Sequence, residues 1–173
     1  KRLGDRKPFL KTSPLGTGAY DTQTMRGPSS PLERGEELWF YYTGGRRYAF
    51  ISSGEDPAYE DYEPDRGAIC LAVLRRDGFI SLDAKDAEGT ILTPAFAVPS
   101  ETLLVNVTAR GGALRVEALD GNGKVVARSV PVTGDQRRGA IQWEEGKLLA
   151  LQGQMVSLRF TLRNGSFYSY WFE

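Results

Sequence analysis

Apolar and polar residues alternate with a period of two over much of the second half of the chain. Residues 155–163 read MVSLRFTLR, with Val156, Leu158, Phe160 and Leu162 on one parity and Ser157, Arg159 and Thr161 on the other. This is the pattern of a strand with one face in a core and the other toward water. Residues 102–108 (TLLVNVT) and 113–119 (ALRVEAL) predict two more strands, with Arg110-Gly111-Gly112 as the turn between them. Asp120-Gly121-Asn122-Gly123 predicts a tight hairpin, from which residues 124–130 return. Residues 90–98 predict a strand broken by Pro94, hence an edge or a bulge. Further strands are expected at 140–143 and 166–172, with Asn164-Gly165 as a turn. Only residues 147–151 could make a helical turn. About eight short strands and no amphipathic helix predict an all-β fold, an antiparallel β-sandwich.

The first half is patterned differently. Gly and Pro interrupt residues 1–35 throughout, leaving a short strand at 20–26. Residues 36–43 (EELWFYYT) form an aromatic strand in which Leu38, Phe40 and Tyr42 face one side and Trp39 and Tyr41 the other. Both faces are apolar, so the strand is expected between two layers. A partner for it is expected at 46–51. Residues 67–75 (GAICLAVLR) are nearly all apolar and predict a strand buried on both faces, shared between two structural units. A charge placed there, as in Leu71→Asp, is expected to unfold both units. Arg75-Arg76-Asp77-Gly78 then predicts a hairpin with Gly78 at positive φ, leading into a half-buried strand over 79–84. Residues 52–66 (SSGEDPAYEDYEPDR) form an acidic connecting loop. The domain boundary therefore falls between residues 1–77 and 78–173.

Composition narrows the chemistry. Twenty-two Lys and Arg balance twenty-two Asp and Glu, which argues against nucleic acid or an anionic membrane as partner. No apolar run is long enough to span a bilayer. The chain opens KRLGDRKPFL, without Met or a signal-peptide pattern, as a piece processed from a longer protein is expected to. Histidine is absent, which removes Ser-His-Asp and Cys-His catalysis and imidazole metal sites. The single cysteine, Cys70, lies in the apolar run and is expected to be an inert buried thiol.

Few motifs remain. Asp120 and Asn122 are weak candidate calcium ligands, and a plain hairpin is the favoured reading of DGNG. Asn106-Val107-Thr108 and Asn164-Gly165-Ser166 match the glycosylation sequon. Carboxylates interleaved with tyrosines in the acidic loop suit contacts to sugar. No pair of carboxylates can be placed at a glycosidase separation, and no catalytic residue is assigned.

Several segments taken together resemble one family: GAYD at 18–21, ELWFYYTGG at 37–45, GAICLAVLRRDGFISLDA at 67–84, TLLVNV at 102–107, LRVEALDGNGK at 114–124 and MVSLRFTLRNGSFYSYWF at 155–172. They are similar to the C-terminal part of bacterial proteins of glycoside hydrolase family 32 type, which pair a five-bladed β-propeller with a β-sandwich. The resemblance implies a partial propeller blade over 1–77, closed by strand 67–75, followed by the sandwich over 78–173. It implies carbohydrate and the remainder of a parent propeller chain as partners, and an extracellular or periplasmic location. It also implies an accessory role, stabilising the propeller and contacting glycan, with the catalytic carboxylates on earlier blades. Tyr20, Asp21, Tyr59 and Tyr62 are the candidate substrate contacts. A stand-alone carbohydrate-binding module and a purely structural sandwich are the alternatives.

Overall fold

The computed structural model describes residues 8–46 and 67–173. Residues 47–51 of the expected partner strand and the acidic loop, with Tyr59 and Tyr62, lie outside the described residues. The chain divides into two compact units, Lys1–Arg76 and Asp77–Glu173. Both are built from antiparallel strands, and no described helix is long and apolar enough to cross a membrane.

The first unit is one antiparallel sheet of β1 (Thr24–Arg26), β2 (Leu32–Arg34), β3 (Glu37–Gly45) and β4 (Gly67–Arg75). β1 and β2 pair along the same side of β3, at Thr43–Gly45 and at Glu37–Trp39 respectively. They are one row interrupted by Gly27-Pro28-Ser29-Ser30-Pro31, where prolines cannot donate to the ladder. Gly35, at φ +59°, makes the two-residue turn into β3, a conformation that a side chain would strain. On its other side β3 pairs with β4 over nine residues, from Glu37–Arg75 to Gly45–Gly67.

Among the described residues only one face of this sheet is covered. Leu38 and Tyr42 are buried, and Phe9 packs edge-on against Phe40 at 5.5 Å between ring centres. The expectation that β4 is buried on both faces is wrong: Ile69, Leu71 and Val73 are 80%, 40% and 50% exposed. Tyr41, across from Leu71, is also exposed, so β3 is not enclosed between layers either. Among the described residues β4 pairs with β3 alone and belongs to the first unit's sheet; it is not a strand shared with the second unit. The RRDG hairpin does not form. Asp77, not Gly78, takes the positive φ (57°), and the next strand pairs elsewhere.

The second unit has nine strands in one hydrogen-bonded sheet: β5 (Leu82–Ala84), β6 (Gly89–Leu92), β7 (Phe96–Ala97), β8 (Leu103–Leu119), β9 (Val125–Ser129), β10 (Val132–Ala140), β11 (Trp143–Glu145), β12 (Met155–Arg163) and β13 (Gly165–Phe172). A 3₁₀ turn, Leu148–Leu151, sits where a helical turn was expected. β8 is the spine. Its first half pairs with β13 and β10, and its second half with β12 and β9. β12 and β13 thus form one row and β9 and β10 another, both antiparallel to β8. β5, β6 and β7 make a broken edge row, interrupted at Pro94 as expected.

Two expected turns are therefore bends within continuous rows. At Arg110-Gly111-Gly112 the strand β8 carries on, and at Asn164-Gly165 the row passes from β12 to β13. At the first bend the inward parity changes. Leu103, Val105, Val107 and Ala109 point inward before it, and Leu114, Val116 and Ala118 after it. These two sets join Val156, Leu158, Phe160, Leu162 and Phe167 in one core, so the folded-over halves of the sheet face each other as a sandwich. Gly112 and Gly165 permit the bends. A Cβ on Gly112 would lie 1.8 Å from the Arg163 carbonyl oxygen, and one on Gly165 would lie 2.6 Å from that of Thr108.

Candidate functional site

The GAYD segment is held against the covered face of the first sheet. The Tyr42 hydroxyl donates to Asp21 Oδ2 at 2.7 Å, and Asp21 is itself buried. Gly44 lets the segment approach this closely, since a Cβ there would sit 3.0 Å from Asp21. Hydrogen bonds from Ser13 and then Tyr42 hold the Asp21 carboxyl below the ordinary range despite burial. The same bond, followed by burial, pushes the Tyr42 hydroxyl above its ordinary value. Arg46 clamps the segment from its other end. Its Nη2 donates to the Gly18 carbonyl at 2.7 Å and its guanidinium lies 4.2 Å from the centre of the Tyr20 ring. Tyr20 and Asp21 are thus brought together with Tyr42 and Arg46, in a cluster whose polar atoms bond to one another and to backbone.

The uncovered face of the same sheet carries Leu32, Trp39, Tyr41, Ile69, Leu71 and Val73. Arg34 lies 4.6 Å from the Trp39 ring centre and Glu37 accepts from Trp39 Nε1 at 3.0 Å at one end of the face, and Arg26, across from Thr43, stands at the other. The apolar composition of this segment was legible in the sequence, but its exposure was not.

In the second unit the DGNG segment is a hairpin turn. Asp120 Oδ1 accepts the backbone N–H groups of Asn122 and Lys124, both at 2.9 Å. This is the side-chain-to-backbone bonding that suits Asp to turns. Among the described residues no group of three metal-ligating side chains converges. Asn106 of the first sequon is 2% exposed, within β8, and is out of reach as a glycosylation acceptor. Asn164 of the second sits at the strand bend with φ 46°.

The outer face of the second unit carries a cross-strand ladder of charge. Glu117 on β8 lies between Arg128 on β9 and Arg159 on β12, with bonds of 3.0 and 2.7 Å, and Glu145 extends the series through Arg128 at 3.0 Å. Burial pushes the Glu117 carboxyl up, but the bonds from Arg159 and Arg128 more than offset this and leave it below the ordinary range. A carboxyl lowered on folding adds stability above its unfolded value, about 4.3, and loses it as pH falls through the folded value. Both arginines are about a third exposed, so screening limits the effect. Glu117→Gln is expected to cost up to about 1 kcal/mol at neutral pH, and the difference should close as pH falls through the folded value, below the ordinary carboxylate range. Urea unfolding of both proteins across that range checks it.

Next to this ladder, at the first bend of β8, a cleft of about 400 Å³ opens between Gly111, Arg115, Thr161, Arg163, Asn164 and Glu88. No motif in the sequence pointed to it. The one available signal was a glycine pair inside a strand-like pattern. Comparison of the chain with protein-family models, with curated proteins and with solved structures returns no match.

Proposed function

We propose that this chain is the accessory region of a carbohydrate-active protein of glycoside hydrolase type. The first unit acts as blade-like sheet that docks on a larger β-propeller body, and the second as a sandwich that stabilises that body and contacts glycan. The uncovered face of the first sheet carries this reading. Its six apolar side chains span three rows, flanked by Arg34 and Glu37 at one end and by Arg26 at the other. An apolar face of that kind marks a surface built to be covered, and another flat apolar sheet is its natural complement. The resemblance of the sequence to the end of a propeller and its sandwich supports the same assignment.

The stand-alone binding-module alternative calls for a row of exposed aromatic rings on one sheet face. Among the described residues of the second unit the strongly exposed rings are Phe79 and Tyr170, and Tyr170 leans on Phe160 at 4.9 Å. That arrangement favours the docking reading.

The test has two arms. Leu71→Lys places a charge on the uncovered face, so the chain is expected to keep its cooperative melt within about 0.5 kcal/mol. If that variant unfolds, the face is internal to the chain and the docking reading falls. In the second arm, the chain is assayed against fructans, arabinans and aryl glycosides, and no turnover is expected. Hydrolysis that disappears in Asp21→Asn would overturn the accessory role and place a catalytic site in the GAYD cluster.

A further inference from the structure

The geometry points to the cleft at the β8 bend as a saccharide site, and specifically as one for a sugar unit carrying a carboxylate. This rests on the proposed role of the second unit in contacting glycan, and it names where and what.

The first observation concerns Gly111. Glycine inside a strand weakens it, and a strand keeps one where a backbone or a ligand approaches closely. Gly112 has such a reason in the Arg163 carbonyl. Gly111 has none within the protein: a Cβ on it would meet nothing within 4 Å, and its φ is not positive. Its bare backbone lines the cleft.

The second observation is the set of polar groups around it. Thr161 lies directly across from Arg115, and Arg163 across from Ala113, so the three polar side chains share the outer face. Arg115 is only loosely engaged, with Glu144 at 3.4 Å. Among the described residues no ion pair or hydrogen bond engages the side chain of Arg163, Thr161 or Glu88. The site therefore offers unspent donors and acceptors within a few side chains of one another, as a ligand rich in hydroxyl groups requires. No aromatic ring lines it, so stacking is not the means of recognition. Glu144 offsets Arg115 and Glu88 is the one carboxylate lining the cleft, so the guanidinium of Arg163 is the unspent charged donor there. A planar guanidinium pairs two-pronged with a carboxylate, which selects a uronic acid over a neutral sugar. The volume lies in the range of small-ligand sites and suits one or two sugar units.

Titration calorimetry with digalacturonic acid, with neutral galactobiose and with acetate tests the assignment. Binding of digalacturonic acid with a Kd of roughly millimolar order is expected, at least about tenfold tighter than galactobiose or acetate. Arg163→Gln should weaken it by about tenfold or more. Gly111→Gln should abolish it by filling the cleft, with the melting transition retained because the added side chain meets only open space. Acetate binding as tightly as the disaccharide would overturn the saccharide assignment. Binding unchanged in both variants would overturn this site while leaving glycan contact elsewhere on the second unit standing. Absence of any saccharide binding would overturn the site and glycan contact together, and would leave the docking of the first sheet to its own test at Leu71.

Discussion

Phe160→Ala is expected to lower the stability of the second unit by about 3–5 kcal/mol, among the largest effects of any single truncation in the chain. Phe160 is 1% exposed and stands in the middle of β12. Its strand neighbours are Val116 on β8 and Ile91 on β6, and its ring meets Phe167 and Tyr170 at 4.9 Å each. Phe167 belongs to the other half of the folded sheet, so the ring joins the two halves across the bend. Truncation removes the transfer free energy of the ring and leaves a cavity that a hydrogen-bonded sheet cannot close. Thr161→Ala, one position along on the outer face, is expected to stay within about 0.5 kcal/mol. Urea midpoints measure both. Equal midpoints for the two variants would mean that the strand sits one residue out of register, because such a slip exchanges its two faces.

The faces of β12 and of the second half of β8 were legible because alternation is a local property. Val156 to Leu162 and Leu114 to Ala118 point inward on the parity that the sequence displays. The ends of the rows were not legible. Gly111-Gly112 and Asn164-Gly165 have the composition of turns, but sequence cannot tell a turn that reverses the chain from a bend that keeps its ladder. That choice depends on which strand lies alongside, and β8 and the β12–β13 row bend together. The same limit applies to β4. Its seven apolar residues required cover on one face, supplied by the chain, and the other face is open. Apolar composition does not say whether the covering surface belongs to the same chain. In the candidate sites, the GAYD segment drew attention to Asp21, but its bond to Tyr42 depends on how residues 8–23 fold onto β3. The cleft at Gly111 depends on a bend that the sequence disguised as a turn.

Gly112→Ala and Gly111→Ala should therefore move stability in opposite directions, although they are neighbours of one type in one strand. At Gly112 the added methyl would fall 1.8 Å from the Arg163 carbonyl oxygen, 2.7 Å from its carbon and 2.8 Å from the Asn164 Cβ. Two of these three are backbone atoms, so no change of rotamer relieves the contact, and the two rows must separate where they bend. The separation weakens the ladder beside Ala113 and Arg163 and loosens the core behind it. A loss of about 2–3 kcal/mol is expected, as for other insertions into close-packed regions. At Gly111 the added methyl meets nothing, and alanine restricts the unfolded chain more than glycine does. A gain of roughly 0.5–1 kcal/mol is expected there. Denaturant midpoints at a common slope give both values without needing a ligand. If Gly111→Ala destabilises the chain as much as Gly112→Ala, the pair serves the bend alone, and the unexplained glycine no longer argues for a ligand in the cleft. If it stabilises the chain while weakening uronic-acid binding, the strand is forgoing stability to keep the cleft open.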